Sequence, residues 1–296
     1  GWFWGHFWSW FWFRRRAGFI FTPSYHTLPV SRWWLRPING FICNVMDQMV
    51  ALTHQETEQV ARDYWVRPTR QAVIGWGASP LKNPQETEVE TAPPDSEATA
   101  SQAASQESPV DILCVGRLGE HKGQGWLLES YRQARSRFHR PARLILVGRD
   151  EGGESALREE VRQSGLEGEV LFTGELEDSE LVDWYARADL FALFSRYEAF
   201  GLVYFEAMIA GVPVLTHDVG ANRELLTRGA VVVPPFDRQA AVEELVRLVN
   251  DDDYRRSLGQ DGKGYALEEF TWSAVADKYL AVYQTATMDK SRGKNN

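Results

Sequence analysis

Cysteine is nearly missing from this chain, with two among 296 residues. Cys43 and Cys114 lie far apart and form no Cys-x-x-Cys spacing. That excludes a disulfide framework and a thiolate metal site and fits a reducing compartment, so the expected location is cytoplasmic. A basic excess is lacking too. The formal net charge of −9 excludes a general nucleic-acid binder, which needs a positive face to displace counterions from phosphates. Nor does the conspicuous apolar stretch, the opening GWFWGHFWSWFWF, reach the roughly 20 residues of a spanning helix. Nine of its thirteen residues are Trp or Phe, and Arg14, Arg15 and Arg16 follow it. That order is wrong for a secretory signal, and no small-residue cleavage site appears. Two readings stay open. The stretch is an interfacial helix in peripheral contact with the inner face of a membrane, or a helix whose aromatic face is buried against a sheet.

What is present points to a folded, two-part protein. A length of 296 residues allows two domains of about 100–150 residues, and 44% apolar with 25% charged residues is an ordinary globular composition. Residues 82–109 carry six acidic residues, one Lys and a single large apolar residue, Val89. Such a segment buries too little surface to offset its ordering entropy and reads as a disordered acidic linker. Beyond it, short apolar runs alternate with helical patterns. Strands are expected at 111–116, 142–148, 169–174, 189–195, 212–217 and 230–235. Helices are expected around 123–137, 154–164, 178–187, 202–210, 221–227 and 237–250. This alternation gives an α/β, doubly wound, Rossmann-like domain over 110–287. Residues 1–81 repeat the rhythm weakly, with strands at 18–24, 49–54 and 71–75, and read as a partial domain of the same kind. TWSAVADKYLAVYQTA reads as a closing amphipathic helix and 288–296 as a tail.

In open α/β sheets ligands sit beyond the carboxyl ends of the strands, and the loops there carry the chemistry. VGRLGEHKG (115–123) places Gly116 at a tight turn, then Arg117, then Lys122 where the next helix starts. Two cations five residues apart at a helix N-terminus suit a diphosphate, although a solvated basic turn has the same pattern. SRYEAFGLVYFEAM (195–208) places Glu198 on a loop, Phe200, Gly201 and Leu202 at a helix start, and Glu206 further along that helix. Amides at a helix start favour an anion. Glu206 can accept two bonds from a vicinal diol such as a ribose, and Glu198 can do so from sugar hydroxyls. As ordinary residues, Glu198 would be an acidic cap and Glu206 a solvated helix position. Gly148 and Gly174 end their strands and leave floor for a base and ribose, which lone turn glycines also do. Asp251 and Asp253 in NDDDY have a metal-motif spacing but follow a helix, and read as a solvated turn.

From 110 to about 284 these residues resemble the nucleotide-sugar-binding half of a retaining GT-B glycosyltransferase of family 4. The motifs that carry the likeness are GRLGEHKG, LILVGRD, FTGELEDSELVDWYARADLFALFS, EAFGLVYFEAM, AGVPVLTHDVGANRELL and FTWSAVADKYLAVY, in order. The resemblance implies a nucleotide-diphosphate sugar of UDP or GDP type as co-substrate, with no cofactor and no metal. It implies Arg117 and Lys122 on the diphosphate, Glu198 facing the donor sugar, Phe200, Gly201 and Leu202 as an amide cluster, and Glu206 on the ribose. FTPSYHT resembles the strand end where relatives place an active-site His, here His26. The implied mechanism is transfer with retention by a front-face route, in which fixed charge stabilises the departing diphosphate.

Several positions depart from that family. Phe194 stands where relatives have Pro, Ala221 where they have a second Gly, IGWGA (74–78) where they have Pro-Asn-Gly, and Ser24 where a His is common. Relatives begin with a strand and Gly-rich loop that this chain lacks, so the expectation is a first domain without its start. On that account GHFWSWFWFRRRAG resembles the helix before the GFIFTPSYH strand, covered elsewhere by missing sheet. The implied partners are a nucleotide-sugar donor and an unidentified glycan or lipid-linked acceptor. The competing expectations are a nucleotide-sugar-binding module without turnover and a membrane-surface protein.

Overall fold

A computed structural model describes residues 20–21, 40–41, 44, 46–64, 71–78 and 108–292. The opening aromatic stretch, His26 and linker residues 82–107 lie outside the described residues. Those described group into two compact units, divided after Gly77 and again after Glu269.

The smaller unit holds three parallel strands, β1 (Ile20–Phe21), β2 (Gln48–Ala51) and β3 (Gln71–Val73), in the order β1-β2-β3. Helix α1 (His54–Tyr64) follows β2. Thr53 starts it: its Oγ1 accepts the Glu56 amide at 3.0 Å, and the Glu56 carboxylate reaches back to the Leu52 amide at 2.6 Å. This reciprocal pairing satisfies one first-turn amide that a helix start otherwise leaves without a partner and one amide just before the helix.

The larger unit is a six-stranded parallel sheet of β4 (Val110–Val115), β5 (Ala142–Val147), β6 (Val170–Gly174), β7 (Leu190–Ala192), β8 (Val214–His217) and β9 (Ala230–Val233). Its order is β6-β5-β4-β7-β8-β9. Central β4 is buried along its length, as expected of a strand covered on both faces. Its one acid, Asp111, lies in register with Arg143 of β5, whose guanidinium donates to both carboxylate oxygens at 2.8 and 2.7 Å. A charge inside a buried strand is tolerable only with such a partner.

Helices α2 (Gln124–Ala134), α3 (Glu154–Gln163), α4 (Asp178–Arg187), α5 (Leu202–Ala210), α6 (Asn222–Leu225) and α7 (Arg238–Asn250) cross between or follow the strands. Right-handed crossovers put α2 and α3 on one face and α4 and α5 on the other; α2 also packs on α7, and α4 on α5. The strand order reverses direction between β4 and β7, which makes their carboxyl ends the switch point of the sheet.

Two differences from the sequence expectation concern the end of the chain. Residues Asp252–Glu269 form an 18-residue helix, α8, where NDDDY reads as a solvated turn, and the helix contains three glycines. Asp251 caps it by accepting the Tyr254 amide at 2.9 Å, Asp252 pairs with Arg140 and Arg255, and Asp253 with Arg256. Two of the glycines are packing devices: a Cβ on Gly262 would meet Gly229 Cα at 2.9 Å, and one on Gly259 would meet Gly211 O at 2.2 Å. The close approach of α8 to its neighbours outweighs the propensity cost of about 1 kcal/mol per Gly.

The closing helix, α9 (Trp272–Arg292), was expected within 110–287 but clusters with the smaller unit. Val275 joins Val50 and Ile74 in one buried cluster, with Tyr279, Val282, Ile20 and Ala72 packed on it. Its apolar stripe covers sheet that is distant in sequence, which periodicity alone cannot reveal. No helix among the described residues is long and apolar enough to cross a membrane.

Candidate functional site

The loops after β4 and β7 meet at the switch point. Residue Gly116 continues β4 by donating to Val147 O at 2.9 Å, and Leu118, 1% exposed, is held by the amide bonds Leu118 N–Arg149 O (2.8 Å) and Glu151 N–Leu118 O (3.0 Å). The GRLG loop is thereby sewn to the GRD loop after β5. Asp150 of that loop accepts the amides of Gly152, Gly153 and Glu154 at 2.8–3.0 Å, capping α3. These amide bonds, that of Glu154 first, hold its carboxyl below the usual range. A buried Gln124 side chain donates to Gly116 O and Arg117 O at 3.3 and 3.0 Å, fixing the loop from below.

A 3-10 turn, Glu120–Lys122, then leads into α2 through Gly123. Gly123 has φ +70, and a Cβ there would fall 1.9 Å from Phe194 O. Only glycine lets the start of α2 touch the backbone after β7. That contact brings the two loops into side-chain register. Lys122 Nζ donates to Glu198 Oε2 at 2.9 Å, with the two side chains 20% and 14% exposed, and Glu120 pairs with Arg196. A backbone bond, Arg196 N–His121 O at 2.9 Å, lies between the two ion pairs. The Ser195 hydroxyl adds a longer contact to Glu198 at 3.5 Å.

Of the residues singled out in the sequence, Lys122 and Glu198 therefore meet. Arg117 does not join them; it pairs with Glu151 at 2.7 Å and remains 55% exposed. Phe200 is buried and packs on Phe205 with ring centroids 5.2 Å apart, while Gly201 immediately precedes α5. The first-turn amides at Leu202 and Val203 have no acceptor within the helix. Gly148 donates to Gly174 O at 2.9 Å, so the ends of β5 and β6 close together. The site residue His26 lies outside the described residues.

Glu206, one turn into α5, accepts from Tyr185 Oη of α4 at 3.0 Å. Burial raises the Glu206 carboxyl pKa, with the Tyr185 hydrogen bond opposing it and Asp178 adding to it. Burial, then the neighbouring Glu206 charge, pushes the Tyr185 phenol well above its ordinary value. Sequence reading missed Tyr185, because within DSELVDWYAR it is one more apolar position of an amphipathic helix. It missed Glu151 as well, since an acid on an exposed loop carries no pattern that points to Arg117.

The raised pKa of Glu206 has a testable sign. A carboxyl whose folded pKa exceeds its unfolded value, about 4.3, favours folding when protonated, and that contribution is lost as pH rises through the folded pKa. Glu206→Gln keeps a Tyr185 acceptor and removes the charge. Its melting temperature is expected to exceed that of the parent near pH 7 and to converge on it near pH 4, read by calorimetry at both. A gap that does not narrow with acid rules out Glu206 as its source.

The profile of a family described as Glycosyl transferases group 1 matches residues 95–265. Among curated relatives, the chain is 33% identical over 190 residues to mannosylfructose-phosphate synthase of Agrobacterium fabrum, covering 60% of this chain and 41% of that protein. It is also 33% identical over 251 residues to D-inositol 3-phosphate glycosyltransferase of Xylanimonas cellulosilytica, covering 81% and 57%. The chain thus spans about half the length of the curated relatives it matches. Among solved structures, sucrose-phosphate synthase of Thermosynechococcus elongatus aligns with a TM-score of 0.66 at 23% identity, over 94% of this chain and 70% of that one. Anabaena HepE in complex with UDP and glucose aligns at 0.67 and 20% identity, over 91% and 71%. At these identities the structures speak for the fold, which is that of GT-B glycosyltransferases, with a Rossmann-like sheet.

Proposed function

The chain belongs to the group 1 glycosyl transferases, and from that premise we propose that it moves a sugar from a nucleotide-diphosphate donor to a glycan or lipid-linked acceptor, with retention of configuration. One observation carries the reading: the Lys122–Glu198 pair stands at the β4/β7 switch point, between two helix starts. The diphosphate lies against Lys122 and the first-turn amides of α5, where fixed positive charge and amide dipoles attract anions. Arg117 joins it by leaving Glu151, an exposed pair of the kind worth at most about 1 kcal/mol. Glu198 accepts hydroxyls of the donor sugar while Lys122 neutralises it. Glu206, oriented by Tyr185, accepts ribose hydroxyls. The relative of known structure described with UDP and glucose supports a UDP-type donor by its ligands.

Cleavage of the sugar–phosphate bond moves negative charge onto the diphosphate. Lys122, Arg117 and the α5 amides stabilise that charge without reorganising, which is the largest contribution such a site makes to rate. This charge supply takes the place of a metal, and retention follows from attack on the face the diphosphate vacates.

Calorimetric titration with UDP and with GDP is expected to show saturable binding of at least one. Labelled UDP-sugars or GDP-sugars are then expected to release sugar or transfer it, with a rate that EDTA leaves unchanged. Binding without any turnover would make the chain a donor-binding module; no binding of either nucleotide overturns the reading. A rate that collapses in EDTA and returns with a divalent cation overturns the metal-independent mechanism alone.

A further inference from the structure

On the face of the sheet that carries α2, α3 and α7, and away from Glu206 on α5, lies a cavity of about 1000 Å³. It is at the upper end of the range for small-molecule sites, about 300–1,000 Å³. Phe236 gives it an exposed aromatic ring, Trp126 a partly covered one that Arg238 overlies at 5.3 Å from the ring centroid, and Glu129, Glu151 and Glu160 give it carboxylates. The 3-10 turn divides it from the donor site: Lys122 faces Glu198, and Glu120 faces Arg196 on the cavity wall.

Phe236 is held there against ordinary preference. It is the one non-glycine residue with positive φ (55°) among the described residues, and 54% of it is exposed. Its amide donates to Nδ1 of His217 at 3.3 Å. Nδ1 is therefore an acceptor, and Nε2 carries the proton it donates to Ser195 O at 2.6 Å. The imidazole is fully buried, edge-on to Phe236 with ring centroids 4.8 Å apart, and it also packs on Trp126 and Phe194 at 5.6 and 5.5 Å. A neutral buried histidine thus fixes an exposed phenylalanine in a backbone conformation that bulky residues avoid. Strain of this kind persists where surrounding structure over-determines it, and clusters at ligand sites. A core gains nothing from a strained ring turned to solvent.

The lining also selects the ligand. Glu120, Glu129, Glu151 and Glu160 outnumber Arg196 and Arg238, which disfavours an anion. Glu120 is engaged by Arg196 and Glu129 by Arg132, while Glu151 keeps Arg149 at 3.6 Å when the donor draws Arg117 away. The half-buried Glu160 carboxylate feels the charges of Glu129, Arg132 and Arg238 but accepts no hydrogen bond from any described residue, and a purely apolar ligand would strip its water without replacement. A pyranose meets both demands, with C–H faces for the aromatic rings and hydroxyl donors for the carboxylate. Accordingly, we infer that this cavity is a second saccharide site, which holds a sugar unit of the acceptor while the donor occupies the switch point. The inference rests on the reading of the chain as a glycosyltransferase.

Saturation-transfer NMR on the full chain with methyl α-mannopyranoside, methyl α-glucopyranoside and maltose tests it, with UDP titrated separately. At least one saccharide is expected to bind saturably, with a dissociation constant on the order of 1 mM. Phe236→Ala and Glu160→Gln are each expected to weaken it about fivefold or more, roughly the loss of one stacking or hydroxyl contact, and to leave UDP affinity unchanged. If Phe236→Ala fails to fold, Glu160→Gln decides. No saturable saccharide binding, or binding that the folded variants do not weaken, overturns the second site. Loss of UDP binding in the parent chain counts against the donor reading instead, since the saccharide titration is read independently.

Discussion

Lys122→Ala is expected to lower the rate of sugar transfer or donor hydrolysis by about 10²–10³-fold, the usual consequence of removing one fixed group that stabilises departing charge. Burial sets the size of the effect. Lys122 Nζ lies 2.9 Å from Glu198 Oε2, and the acid is only 14% exposed. Truncation deletes the cation proposed to face the diphosphate and also strands a carboxylate, whose remaining side-chain contact among the described residues is the Ser195 hydroxyl at 3.5 Å. A shielded, unpaired charge costs on the order of 1–3 kcal/mol. Stability and rate should therefore part company in the double variant Lys122→Ala/Glu198→Ala. Removing both charges restores much of the melting temperature and none of the transfer. Single-turnover kinetics with a labelled donor, alongside calorimetric melting, measure the two. Transfer by Lys122→Ala within about twofold of the parent would remove Lys122 from the mechanism.

Gly123→Ala is the largest expected effect on the fold. The new Cβ would stand 1.9 Å from Phe194 O and 2.7 Å from its carbonyl carbon, at φ +70. Both obstacles are backbone, so no side chain can swing aside. A loss of about 3 kcal/mol or more follows, lowering the melting temperature by roughly 6–12 °C for a domain of this size. Because Gly123 joins the start of α2 to the loop after β7, the Lys122–Glu198 pair opens with it. UDP affinity should fall together with stability. Gly168→Ala, where a Cβ meets nothing within 4 Å, serves as the control. An unchanged melting temperature for Gly123→Ala would mean that the two loops are not joined there.

The strands and helices between 110 and 250 were legible because each is a short apolar run or an amphipathic repeat closed by Gly, Pro or a capping acid. Ends moved by only a few residues, as at Leu190–Ala192 within the expected 189–195. Helix α8 was not legible. Its glycines lower local helix propensity, and Gly259 and Gly262 are there because Gly211 and Gly229, distant in sequence, approach closely. The placement of α9 was hidden for a related reason: an amphipathic stripe states that something covers it, and Val50 and Ile74 lie some two hundred residues earlier. In the site, Lys122 and Glu198 were visible as types and spacings, whereas the partners Tyr185 and Glu151 were not.

By itself, the amino-acid sequence determined the α/β alternation, the loops that carry charge and the family, since these reside in local periodicity and in contiguous motifs. Only the tertiary structure decided which charges meet. Lys122 pairs with Glu198 and Arg117 with Glu151 because a parallel sheet aligns the ends of strands that are far apart in the chain. It also decided that His217 is buried beneath an exposed, left-handed Phe236. Short-range pattern reports each residue's preference, and a side chain's partner is set by the packing of elements that sequence distance separates.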